Sequence, residues 1–256
     1  PILALLILGF GVKIGMVPMH VWMPLTYSAA PIPVAAVLSG AAVKAGVMGL
    51  IRFLPFDTAM PGWGEAIAAL GLFSAFYGVA IGITQQNPRA ILAYSSVSQM
   101  GVIAAVLGMG LAAGNKTVTI LAAFYALHHI LVKGGLFLAI GAASAGGARG
   151  RWLVLLPAAI IALGLGGLPL TGGALAKLAV KDTLGYSFAG TLAMLSAAAS
   201  TLLMLHFLRR LAASIGDSEN TRAPAALLIP WLAVACAAIA LPWALYFDIT
   251  GAFWLD

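Results

Sequence analysis

Apolar positions run along this chain in stretches of roughly twenty, interrupted by short clusters of polar, glycine and proline residues. Eight segments can be delimited, at about 1–17, 33–54, 64–85, 88–108, 117–144, 152–184, 186–209 and 224–247. A membrane-crossing helix needs about 20 apolar residues, so the pattern predicts an all-α, polytopic transmembrane helix bundle of about eight spans. Residues 1–256 then form a single transmembrane domain, with RRLAASIGDSENTRAP (Arg209 to Pro224) as its longest loop. Two segments are irregular. The first ends in FGVKIGMVPMHVWMP (Phe10 to Pro24), where Pro18 and Pro24 flank a His and a Trp. The sixth is too long for one span and contains GLGGLPLTGG (Gly164 to Gly173), so a helix break is expected around Pro169, Gly172 and Gly173. Breaks at membrane depth free backbone groups, and they are tolerated where protein or a water-filled cavity surrounds them.

Composition removes the soluble alternatives. Of 256 residues, 62% are hydrophobic and 8% charged, where a soluble domain carries roughly 25% charged residues. The net charge is +6, but the basic residues are scattered with no aromatic-interleaved patch, which argues against nucleic acid as a partner. The lone Cys236 argues against a disulfide framework and a thiolate metal site. No nucleotide loop, redox centre or metal cluster is visible, so no cofactor is expected and any chemistry belongs to partner subunits. With loops alternating sides, Arg89, Arg149, Arg151, Arg209, Arg210 and Arg222 fall on one side, and Arg52, Lys116 and Lys181 on the other. The positive-inside rule then puts 18–32 and 209–223 in the cytoplasm and the C-terminus, with Asp248 and Asp256, outside. Residues 1–17 show neither a basic leader nor a small-residue cleavage site, so they read as a membrane segment of a longer protein.

The informative residues are charges inside apolar segments. Lys13, Lys44, Lys133 and Lys177 lie there with almost no acidic residue for company. A cation at mid-bilayer costs about 2.5–3.5 kcal/mol on insertion scales, so such residues usually face a bundle interior or a water path. Lys181 is near a helix end and can snorkel, and Lys13, close to Pro18, could do the same; Lys44 and Lys133 lie near the middle of their spans. In AFYALHHILVKGGLFLAIGA (Ala123 to Ala142), Tyr125, His129 and Lys133 are spaced by four and form one helical stripe. That puts a protonatable imidazole ~6 Å from an amine, while the adjacent His128 must point elsewhere. In QQNPRAILAYSSVSQMG (Gln85 to Gly101), Tyr94 pairs with Ser98, and Ser95 with Gln99, at the same spacing. These polar groups either glue helices together or hydrate a proton path. His206, beside Arg209 and Arg210, reads as structural.

Four stretches together resemble a known family: Val12 to Phe53 around VKIGMVPMHVWMP and AAVKAG, NPRAILAYSSVSQMG (Asn87 to Gly101), HHILVKGGLFLAIG (His128 to Gly141) and GLPLTGGALAK (Gly167 to Lys177). The resemblance is to the antiporter-like proton-conducting membrane subunits of respiratory complex I, of membrane-bound hydrogenases such as hydrogenase-4 and formate hydrogenlyase, and of Mrp-type antiporters. The HVWMPLTYSAAPIP form is most similar to the hydrogenase-4 component B branch. It implies two inverted five-helix repeats, each with a discontinuous helix. On that scheme 1–54 close the first repeat, 64–209 form the second and 224–247 add a span. It also implies that Lys13 and Lys177 are the broken-helix residues, Lys44 the lysine of the following helix, Lys133 the connecting lysine and His129 its histidine. The family's earlier histidine is Tyr125 here. The family's membrane glutamate, which pairs with the first broken-helix lysine, has no counterpart in the chain, so another polypeptide or an upstream part is expected to supply it.

The expected function is a proton-translocating subunit of a redox-driven complex in a bacterial inner membrane, working with other membrane subunits. An Mrp-type cation/proton antiporter subunit, with sodium as a coupled ion, is the alternative within transport. A non-conducting scaffold, whose lysines bind lipid headgroups or assembly partners, is the alternative outside it.

Overall fold

The computed structural model describes residues 1–185, 188–216 and 223–251, apart from the Arg149 side chain. Arg222 and Asp256, which enter the orientation argument, lie outside the described residues, as does part of the Arg209 to Pro224 loop.

The described residues contain eleven α-helices and no strand. They are α1 (Ile2–Ile14), α2 (Trp22–Ala29), α3 (Ile32–Val37), α4 (Lys44–Phe53), α5 (Pro61–Gly82), α6 (Pro88–Ala113), α7 (Val118–Ala145), α8 (Arg151–Gly166), α9 (Gly172–Leu184), α10 (Phe188–Ala213) and α11 (Ala225–Thr250). One π-helical turn, Leu38–Ala42, joins α3 to α4, so the two read as one span, Ile32–Phe53. Six helices are long and apolar enough to cross a membrane. The count falls short of the eight expected because the two irregular segments are divided: α1 has 13 residues and α8 has 16. Boundaries of the other segments agree with the expectation to within about five residues.

Local sequence sets the helix ends. The Asn87 side chain accepts from the Arg89 amide at 2.9 Å, with Pro88 in the first turn where its missing N–H costs nothing. α1 stops at Gly15 (φ 73°) and α8 at Gly167 (φ 96°), both in the left-handed region that glycine adopts without a Cβ penalty. Pro18 lies in the gap after α1 and Pro169 in the gap after α8, whereas Gly172 and Gly173 open α9 rather than sit in the break. Their role is close approach: a Cβ on Gly173 would strike the Gly164 carbonyl, and one on Gly172 would sit 2.5 Å from Pro242 Cγ.

α6 is the axis of the bundle. Of its apolar window 94% is buried, against 22% for α11 and 28% for α10, which present Ile229, Leu202 and Met194 outward. α5 lies closest to α6, through glycines. A Cβ on Gly71 would be 2.5 Å from the Gly101 carbonyl oxygen and 2.7 Å from the Ala105 amide nitrogen. One on Gly78 would be 2.6 Å from the Tyr94 oxygen, and one on Gly108 would be 2.6 Å from Gly64 O. Gly64, Gly71 and Gly78 recur every seven residues, as do Gly101 and Gly108, so the two backbones touch along one seam. α7 packs on the other side of α6 and carries α3, α9 and α11 on its outer faces. At one end, Arg89 donates to Ser28 O and Ala30 O, while His206 bonds Gln85 O and Arg210 donates to Gln86 O. His206 is thus a tie between α10 and the α5–α6 turn.

Candidate functional site

The stripe predicted on α7 faces α6 and is fully enclosed. Tyr125 is 2% exposed, and His129 and Lys133 are 0%. Three polar clusters grow from it, held by carbonyls that helix irregularities or neighbouring hydroxyls make available.

The first cluster joins Lys44 to His129. The Lys44 ammonium lies 2.5 Å from His129 Nδ1 and donates to Ser39 O at 2.8 Å. Ser39 stands in the π-helical turn, where the wider register changes which carbonyls the helix uses itself. The lysine therefore closes back on its own helix while reaching across to α7. Two N–H groups cannot point at each other, so one nitrogen of the Lys44–His129 contact must offer a lone pair. His129 Nε2 is buried with no hydrogen-bond partner. The contact is a nitrogen–nitrogen hydrogen bond, not a salt bridge.

The second cluster holds Lys133, which donates to Leu92 O of α6 at 2.9 Å. Ser96 Oγ donates to the same carbonyl at 3.1 Å and lies 3.2 Å from Ser39 Oγ. Lys44 and Lys133 are thus joined through the Ser39 residue, Ser96 and one backbone carbonyl.

The third cluster runs sideways from Tyr125, whose hydroxyl donates to Gln99 Oε1 at 2.8 Å, while Gln99 Nε2 donates to Ser200 Oγ of α10 at 3.0 Å. Ser98 and Ser196 lie buried with unpartnered hydroxyls. The α10 serines were not picked out from sequence, where Thr191, Thr201 and His206 on the same helix are equally polar. Tyr94 is not part of this group: its ring lies 6.1 Å from that of His20, beside the first break.

Each break satisfies its freed backbone with side chains. At the first, Trp22 Nε1 donates to Val12 O at 2.8 Å, and the Val17 amide donates to Ser74 Oγ of α5 at 3.0 Å. At the second, Lys177 donates to Gly166 O at 3.1 Å, a cation on the C-terminal end of α8 where the helix dipole favours it. Thr171 caps α9, its hydroxyl donating to Leu168 O at 2.6 Å and accepting from the Ala174 amide at 3.4 Å. Leu170, with φ 65°, holds a conformation that non-glycine residues rarely adopt. The two adjacent histidines do face opposite ways. His129 meets Lys44, while the His128 ring lies against Gly172 and Gly173, where added Cβ atoms would be 3.0 and 3.1 Å from it.

Lys177 and Tyr125 line one cavity of about 270 Å³, which brings the second break to the edge of the α7 stripe. Lys13 is the exception. It is exposed, makes no hydrogen bond or ion pair among the described residues, and has its Cβ beside Gly46 of α4. No group of three or more His, Cys, Asp or Glu residues that could hold a metal occurs among the described residues.

The family described as NADH:quinone oxidoreductase/Mrp antiporter, TM matches residues 2–205. Hydrogenase-4 component B of Escherichia coli (strain K12) is 37% identical over 145 residues, covering 52% of this chain and 22% of that protein. NADH-quinone oxidoreductase subunit N of Salinispora tropica is 32% identical over 229 residues, covering 82% and 44%. The chain therefore spans less than half of either relative. A chain of the Mrp complex from Dietzia sp. DQ12-45-1b has the same fold, with a TM-score of 0.79 over 97% of this chain and 57% of that one, at 23% identity. This integral membrane chain belongs to the family of antiporter-like membrane subunits shared by respiratory NADH:quinone oxidoreductases, hydrogenase-4 and Mrp antiporters.

Proposed function

We propose that this chain is a proton-translocating membrane subunit of a redox-driven complex of the complex I or hydrogenase type, moving protons along Lys44, His129, Lys133 and Lys177. The observation that carries the reading is the Lys44–His129 contact beside a fully buried Lys133, with no carboxylate at either lysine among the described residues. Each buried cation costs about 2.5–3.5 kcal/mol, and moving a proton against 100 mV costs about 2.3 kcal/mol. A proton that passes between sites of such similar energy can be driven by small changes in which groups touch. Tyr125 and His128 flank the step toward Lys177, and the Gln99 and Ser98 hydrogen-bonding groups supply hydration sites beside it, while Tyr94 would serve the first break.

In this reading residues 1–54 complete a first inverted repeat, 64–209 form the second and 224–247 add a span. Lys13 serves the first repeat, its acidic partner coming from another polypeptide or an upstream part. The protein works in a bacterial inner membrane, with the Arg89 and Arg210 end in the cytoplasm. The test is proton movement by vesicles containing the whole complex. Lys133→Ala and Lys177→Ala are expected to abolish it while the chain still assembles, and normal pumping in both overturns the reading. Dependence of the same transport on sodium assigns the complex to cation/proton antiport instead.

A further inference from the structure

We propose that the cleft between α9 and α10 binds the carboxylate end of a long-chain fatty acid, anchored by the Lys177 ammonium. The cleft encloses about 270 Å³. Val102 of α6 and Tyr125 of α7 form its floor and Lys177 its inner wall, and it opens past Lys181, Thr191 and Met194, which are exposed.

Charge decides the class of ligand. An ammonium has three N–H donors, and Lys177 gives one to Gly166 O. No carboxylate is among the described residues that line the cleft; Asp182, next to Lys181 on α9, is exposed and outside it. The Tyr125 hydroxyl has committed its proton to Gln99 and has only lone pairs for the cleft. The floor therefore offers no donor, and recognition at the inner end falls on Lys177, with Lys181 and Thr191 at the exposed mouth. That fits a compact monoanion carrying an apolar tail.

Size and position agree. Small-molecule pockets usually run about 300–1,000 Å³, so this one takes a carboxylate and the start of a chain, not a phospholipid headgroup with its glycerol. The cleft is lined at its mouth by the exposed Lys181, Thr191 and Met194, so the charge does not have to pass through the apolar core. The remaining chain leaves over Met194, 67% exposed, and along the outward apolar face of α10, where Leu195 and Leu202 are 55% and 59% exposed. A carboxylate held on Lys177 would also inhibit the proton movement proposed above. That consequence rests on the proposed function, whereas binding does not, so the two fail separately.

The test uses photoreactive palmitate, with a diazirine in the chain, added to membranes containing the whole complex. Label is expected on α9 and α10, near Val180 and Met194. The matched fatty alcohol is expected to label these helices about tenfold less or weaker still, the difference a charge-assisted hydrogen bond makes. Ala197→Phe, which fills the cleft, and Lys177→Gln should each remove the acid's advantage, while Lys177→Arg retains it. Chain abundance and assembly are read in the same membranes. Equal labelling by acid and alcohol reduces the cleft to an acyl-chain groove and overturns the proposal. So does label that is absent from α9 and α10, or that is indifferent to Ala197→Phe.

Discussion

Replacing Lys44 by Met tests the central contact directly. In the native chain the ammonium satisfies Ser39 O at 2.8 Å and His129 Nδ1 at 2.5 Å. His129 Nε2 is already without a partner. Lys44→Met therefore orphans two buried acceptors at about 1–3 kcal/mol each. It also removes a cation whose placement costs about 2.5–3.5 kcal/mol. The net change runs from about 1.5 kcal/mol stabilising to about 3.5 kcal/mol destabilising, small enough for the chain to fold and assemble. His129→Leu leaves Lys44 with Ser39 O alone. In the double variant the histidine orphan is gone and only the Ser39 carbonyl remains unmatched. The double variant should thus be about 1–3 kcal/mol more stable than the sum of the two single effects predicts. Reversible unfolding of the purified complex by denaturing detergent, run on all four combinations, gives this coupling. Proton movement in vesicles should be lost in all three variants. Additivity within about 0.5 kcal/mol would refute the Lys44–His129 contact as an interacting pair. Retained proton movement in Lys44→Met would remove it from the pathway.

Two further outcomes concern the scaffold. Gly71→Leu should prevent accumulation of the chain, since even a Cβ there meets Gly101 O at 2.5 Å; Gly62→Ala, with nothing within 4 Å, should accumulate normally, and immunoblotting of membranes compares them. Thr171→Ala removes the cap of α9 and should cost about 1 kcal/mol in the detergent titration, with Thr171→Ser restoring most of it.

Chemistry that resists the bilayer was legible in the sequence; chemistry that depends on a neighbour was not. Lys44 and Lys133 declared themselves because a cation amid apolar residues has few explanations, and both are buried at hydrogen-bond distance of polar groups. The two breaks were legible because glycine and proline act on their own backbone. The partners were not: nothing local to Leu92 or Ser200 marks a carbonyl awaiting Lys133 or a hydroxyl awaiting Gln99. The π-helical turn beside Lys44 was also hidden, since its one-residue register change leaves no compositional trace in LSGAA. The glycine seam was readable in principle. Its period of seven is in the sequence, but a count of apolar residues treats glycine as spacing and passes over it. The span count slipped for a related reason, because α1 and α8 are half-helices and length alone counts each as a whole.

Backbone touching backbone along α5 and α6 leaves no side-chain rotamer there to absorb a displacement. The pair can serve as a stator, since the space between the two backbones is too small for even a Cβ at Gly71. The regular helical ladder is interrupted instead at Gly15–Val21 and Gly167–Thr171 and widened in the π-helical turn, where a shift costs less helical packing. The lysines are distributed along this division. Lys133 is fastened to the stator through Leu92 O, whereas Lys44 and Lys177 are fastened to carbonyls of the yielding segments or their ends. A shift at either break or at the π-helical turn would therefore lengthen or shorten the distances from Lys133 to Lys44 and Lys177.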